Sequence, residues 1–134
     1  MADACFVINN GKQIISNRMI GGGSDPKFIQ WGVGTATALV TDTGLQSTVG
    51  TTEARTNGTS SQVAGAQTLS KYQVVGLVTA LQPITIAEVA LFDGAGAGGP
   101  PPTGANCFLH ASHGSTTLAI GEAITYTITV DFTP

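Results

Sequence analysis

Glu122-Ala-Ile-Thr-Tyr-Thr-Ile-Thr-Val-Asp-Phe132 is the stretch that decides the fold. Ile124, Tyr126, Ile128, Val130 and Phe132 are apolar or aromatic, and Thr125, Thr127, Thr129 and Asp131 fall between them. Side chains on a strand alternate faces, so this pattern sorts five apolar groups to one side and four polar groups to the other. A helix would scatter the same groups around its axis. All but Asp131 are β-branched or aromatic, the types that pack best on a pleated surface. The pattern predicts one long antiparallel strand with a dry face and a wet face, which other strands must cover.

The rest of the chain supplies candidates. Tyr72, Val74, Gly76 and Val78 share a face of a strand expected over 67–80, which Pro83 ends. Ile84-Thr-Ile-Ala-Glu-Val-Ala-Leu-Phe92 is a third strong strand, but its alternation slips: Ile84 and Ile86 lie on one parity, Val89 and Leu91 on the other. A β-bulge near Glu88 or burial of both faces explains the slip. Weaker strands are expected at 12–20, 27–33, 47–55, 106–111 and 116–120. Asn9-Asn-Gly11 and Asn57-Gly58 read as tight turns, the latter as a hairpin signal. Gly21-Gly-Gly-Ser-Asp-Pro26 reads as a flexible loop and Thr41-Asp-Thr-Gly44 as a surface loop. Residues 94–104, Gly-Ala-Gly-Ala-Gly-Gly-Pro-Pro-Pro-Thr-Gly, form a long loop that cannot build core. The only faint helical possibility is Ser60 to Leu69, weakened by Gly65. About eight strands with Gly-rich turns predict an all-β, single-domain antiparallel β-sandwich over 1–134, jelly-roll-like with two four-stranded sheets. Residues 1–11 are expected as an N-terminal arm.

Composition narrows the function classes. Charged residues make up 10% of the 134 residues, against about 25% in an ordinary soluble domain. Mean hydropathy is +0.24, yet no apolar run approaches the roughly 20 residues of a membrane helix. A weakly charged surface suits packing against protein, because few charges need desolvation on contact. The net charge is −3, and Lys12, Arg18, Lys27, Arg55 and Lys71 are scattered, so no basic patch is available for phosphates and nucleic acid is not an expected partner. The start, Met-Ala-Asp-Ala-Cys, lacks the pattern of a signal peptide, which sets cytoplasmic synthesis as the expectation. Cys5 and Cys107 are then expected as buried free thiols, with a disulfide as the alternative.

Few residues carry chemistry. Cys107, His110 and His113 form C-x-x-H-x-x-H, but zinc wants three or four convergent ligands, and the two histidines point to opposite faces of a strand. No Gly-x-Ser-x-Gly elbow occurs, and Gly21-Gly-Gly-Ser24 lacks the lysine of a phosphate loop. Glu53 and Glu88 have no spacing that pairs them as acid and base. Glu88, mid-strand among apolar residues, is expected to pair with a cation such as Arg55. Asn57-Gly-Thr59 matches a glycosylation acceptor and reads here as a turn. Trp31 is expected as a core anchor, with sugar stacking by Trp31 or Tyr72 as the functional alternative. No catalytic, cofactor-binding or metal site is expected, and no cofactor.

Trp31-Gly-Val-Gly34-Thr35, Asp42-Thr-Gly-Leu45, Glu88-Val-Ala-Leu-Phe-Asp93 and Leu118-Ala-Ile-Gly-Glu122 followed by the Thr-rich last strand together resemble a group of small tailed-bacteriophage virion proteins of the capsid decoration, or cement, type. The resemblance spans residues 28–132; the Pro-rich loop departs from it. It implies a β-sandwich on the outer capsid surface, often a homotrimer, with the major capsid protein as partner, no enzymatic activity and a place in the virion. Related modules in tail or head fibres and baseplates make a glycan-binding fibre module the alternative.

Overall fold

The computed structural model describes residues 4–65 and 69–132. Their elements are β1 (Ala4–Val7), α1 (Asn9–Met19), β2 (Phe28–Gly32), β3 (Thr56–Asn57), β4 (Thr59–Val63), β5 (Lys71–Thr79), β6 (Ile84–Phe92), β7 (Cys107–Leu118) and β8 (Ala123–Asp131). All strand pairs are antiparallel. One sheet has the order β1-β7-β6-β2-β3 and the other β4-β5-β8. The β-sandwich is thus all-β save one helix, and its sheets hold five and three strands instead of four and four.

The last strand follows its alternation from Ile124 to Val130, but Phe132, expected on the dry face, lies past its end and is exposed. Tyr126 and Ile128 are buried, while Thr125, Thr127 and Thr129 are exposed. Between the sheets, Ile29, Trp31, Val89, Leu91 and Leu109 pack in one cluster with Val74, Val78, Tyr126 and Ile128. Both explanations of the slip in β6 hold. Its pairing with β7 jumps from Ile86↔Thr116 to Glu88↔Ser112, so β7 carries the extra residues of a bulge. Beyond it, Ala90 and Phe92 face away from the main core and are buried with Ile8, Cys107 and Leu45. The apolar residues on both parities of β6 are therefore covered within one chain.

Several expected elements differ. Residues 12–20 are not a strand and Asn9-Asn-Gly11 is not a turn: both belong to α1. Its cause is tertiary. Gly11 lies so close to β7 that an added Cβ would fall 2.1 Å from the Phe108 carbonyl oxygen. Ile14 is buried in the core beside it. Gly21, at φ +82°, donates to the Arg18 carbonyl and ends the helix in the left-handed region that glycine tolerates. Residues 47–55 form no strand: the Ser47 N–H goes to Glu88 and the Thr52 N–H to Glu53, while the Thr51 N–H and hydroxyl turn back onto the Thr48 carbonyl. Ser60 to Val63, in the stretch given a faint helical reading, is β4; residues 66–68 of that stretch, and 67 and 68 of the expected 67–80 strand, lie outside the described residues. Asn57-Gly58 does not make a hairpin: it carries the chain from one sheet to the other. The strands expected at 106–111 and 116–120 are one, β7, bent at its bulge. Within the expected arm, Ala4–Val7 pairs with β7.

Candidate functional site

Residues 33–55 run without helix or strand between β2 and β3. Such a segment must still satisfy its backbone polar groups. It does so on a polar seam that the outer face of β6 and β7 presents. Glu88, opposite Ser112, and His110, opposite Ala90, sit on that face, and both are fully buried.

Glu88 is saturated. Its Oε1 accepts from His110 Nε2 at 2.7 Å and from the Gln46 backbone N–H at 2.8 Å. Its Oε2 accepts from the N–H groups of Gly34 at 2.6 Å and Ser47 at 3.1 Å. Four donors fill the lone-pair sites of one carboxylate. His110 Nδ1 lies 2.7 Å from Asp42 Oδ2, which also accepts the Leu39 N–H at 2.7 Å. An ionised carboxylate only accepts, so with both carboxylates ionised both ring nitrogens donate, as they do in an imidazolium. Burial alone pulls the His110 pKa down, but the bonds and charges of Glu88 and Asp42 outweigh it and the net direction is up. Burial pushes Glu88 up, and the bonds from His110, Gln46, Ser47 and Gly34 outweigh that, so its carboxyl stays below the usual range. Ser112 Oγ accepts the Ala38 N–H at 3.1 Å.

Two further side chains fasten the far end of the segment. Trp31 Nε1 donates to Glu53 Oε1 at 2.8 Å, and Glu53 Oε2 accepts the Leu81 N–H at 3.0 Å. Burial raises the Glu53 pKa, and its bonds with Leu81, Trp31 and Thr52 bring it below the ordinary value. Arg55 does not pair with Glu88. It stacks 3.6 Å over the Phe92 ring, donates through Nε to Gln30 Oε1 at 2.7 Å, and through one terminal nitrogen to the Gly94 and Gly104 carbonyls at 3.0 Å each. Gln30 faces the Phe92 end of β6, and Glu88 lies opposite Gly32, further along. Arg55 therefore anchors the Pro-rich loop, and His110 takes the place at Glu88.

The C-x-x-H-x-x-H residues do not converge. Cys107 and His110 share the outer face, whereas His113 turns inward and pairs with the Tyr126 hydroxyl at 3.1 Å. Among the described residues no group of three His, Cys, Asp or Glu is arranged to hold a metal. Cys5 and Cys107 are both free, with Cys107 buried and Cys5 exposed; the expectation of two buried thiols holds for Cys107 only. Trp31 is 1% exposed, a core anchor with no face for a sugar. Tyr72 packs edge-on against Phe108, and its hydroxyl donates to the Pro26 carbonyl at 2.9 Å.

Chemically, the seam holds: every proton on His110 has an acceptor, and no solute reaches Glu88. Sequence reasoning singled out Glu88 and His110 separately but missed their pairing and the part of Asp42. The usable signal was one carboxylate inside an apolar strand, which requires a buried partner. No protein-family model, curated protein or solved structure matches this chain.

Proposed function

We propose that this chain is a non-enzymatic structural protein of a tailed-phage virion that binds the outer capsid surface and stabilises the assembled head. The observation that carries the reading is the seam. Its ionisable groups, the buried Glu88 and His110 and the half-buried Asp42, direct their bonds to one another and to the backbone of residues 34–47. A device that fixes the shape of a long surface segment suits a protein whose task is to present a contact surface on a rigid scaffold. The low charge and the resemblance over residues 28–132 support the same reading. The major capsid protein is the partner, with neither nucleic acid nor membrane involved.

The mechanism is linkage. A ligand that binds only the assembled shell stabilises that state by an amount that grows with its concentration over Kd. Segment 33–55 and the loop held by Arg55 make the contacts. A tail, head-fibre or baseplate module is the competing placement, and its glycan-binding form loses Trp31 as a stacking residue. The test is co-sedimentation of the purified chain with heads and with tails of the phage that carries it. Saturable pelleting with heads supports decoration; pelleting with tails alone replaces it with the fibre reading. The resemblance implies a homotrimer; the sheet edge described next favours a two-fold pair.

A further inference from the structure

β8 ends the three-stranded sheet, with β5 on one side and, among the described residues, no strand on the other. Its free edge can be read residue by residue. Ala80 N–H bonds the Glu122 carbonyl, and Phe132 N–H bonds the Ser70 carbonyl. Both fit the register Lys71↔Asp131 to Thr79↔Ala123. Hydrogen-bonded and non-bonded pairs alternate in an antiparallel ladder. The even-numbered residues of β8 therefore bond β5, and Thr125, Thr127 and Thr129 aim N–H and C=O at the open edge. Natural edges are usually blunted by charge, proline, a bulge or short length. β8 is nine residues long, carries one charge at its end and pairs with β5 without a register break.

The strand is also self-complementary about Thr127. Tyr126 mirrors Ile128, Thr125 mirrors Thr129, and Ile124 mirrors Val130. An isologous two-fold contact needs one patch that fits its own rotated copy. Beneath this edge the sandwich opens into a cleft of about 470 Å³, lined by Val89, Ala111, Tyr126 and Ile128 among others and by no Asp, Glu, Lys or Arg. We propose that β8 pairs antiparallel with β8 of a second copy of this chain, centred on Thr127↔Thr127. In that register Thr125, Thr127 and Thr129 of each copy form the bonded pairs and the two sheets become one of six strands. Ile124 faces Val130 and Tyr126 faces Ile128 on the dry side, while threonines meet threonines on the wet side. A one-residue slip would set the bonding groups out of phase, and a two-residue slip would move the two-fold centre off Thr127 and part Ile124 from Val130.

The test is sedimentation equilibrium of the full chain with three variants. Wild type is expected to be a dimer at micromolar concentration. Thr127→Pro removes an N–H that β5 does not use, a place where an edge strand tolerates proline; it is expected to give a monomer with unchanged far-ultraviolet circular dichroism. In a Cys5→Ser background, Thr127→Cys is expected to cross-link to a covalent dimer on mild oxidation. The opposed Cα atoms would be about 5.5 Å apart, inside the roughly 4.4–6.8 Å of disulfides. Thr125→Cys in the same background is expected not to, since its two copies stand about 14 Å apart along the strands. A wild-type monomer, a trimer indifferent to Thr127→Pro, or equal cross-linking at 125 and 127 would overturn the proposal. Should Thr127→Pro fail to fold, the cysteine pair decides alone.

Discussion

His110 Nε2 and Glu88 Oε1 lie 2.7 Å apart, and both side chains are wholly removed from solvent. Two charges taken out of water repay their desolvation only when every remaining donor and acceptor is met. Here Asp42 takes the other ring nitrogen, and three backbone N–H groups take the remaining carboxylate sites. Segment 33–55 is held by side chains that belong to β6 and β7.

Glu88→Ala would take the acceptor from one N–H of the buried His110 ring and from the backbone N–H groups of Gly34, Gln46 and Ser47. Removing one partner of a buried pair costs about 3–5 kcal/mol. A urea melt of Glu88→Ala is expected to show a loss of that order, and amide exchange at Gly34, Gln46 and Ser47 to accelerate. A loss under about 1 kcal/mol, the size of an exposed pair, would show that water reaches the seam.

The same pair sets a pH dependence. His110 has its pKa raised above the ordinary 6.5, so its contribution is complete below 6.5 and fades as pH climbs through the higher folded value. Glu88 has its pKa lowered from the ordinary 4.5, so its contribution is complete above 4.5 and fades as pH falls through the lower folded value. Stability is therefore expected to be greatest between about 4.5 and 6.5 and to decline on the alkaline side. His110→Asn should flatten that alkaline decline. Urea midpoints at stepped pH measure it, and a wild-type midpoint that rises from pH 6 to 9 would contradict the assignment.

Ile128 lies on the dry face of β8 and Thr127 on the wet one. Ile128→Ala is expected to cost about 2–5 kcal/mol through the cavity it leaves, and Thr127→Ala about 0.5 kcal/mol or less. Thr127→Ala keeps its backbone groups and so should leave the oligomeric state unchanged. Equal losses in urea melts would mean that both faces of β8 are buried.

Gly11→Ala offers a contrast of sign. In a helix interior the change ordinarily gains about 1 kcal/mol. Here the new methyl would meet the Phe108 carbonyl, and overpacking costs about 1–3 kcal/mol. Thermal or urea unfolding is expected to show net destabilisation; a gain would mean that α1 docks less closely on β7.

How much was legible follows from what fixes each element. β6 and β8 could be read from their apolar patterns, because a half-buried or fully buried strand is defined by which side chains it hides. α1 could not: its apolar residues are too few to mark a helical face, and Asn-Asn-Gly reads locally as a turn. Close docking of Gly11 on β7 decides it, and that contact is invisible along the chain. Gly21 was a fair stop signal for a helix not otherwise suspected. In the seam, Glu88 announced a buried partner, and Arg55 was the cation expected there; the register of β6 on β2 and β7 gives that place to His110. Residues 47–55 have strand-like composition but no strand, since the segment that holds them takes its backbone bonds from Glu88 on β6 and from its own Asp42 and Glu53.

The stabilisation of heads is the most direct measure of the proposed role. Heads of the phage that carries this chain, stripped of it, would be heated with and without the purified protein while DNA release is followed by dye fluorescence. Expected is a rise in release temperature that saturates with added protein and is smaller with Glu88→Ala at equal total concentration. An unchanged release temperature, with the protein bound to the heads or not, would contradict a cement role.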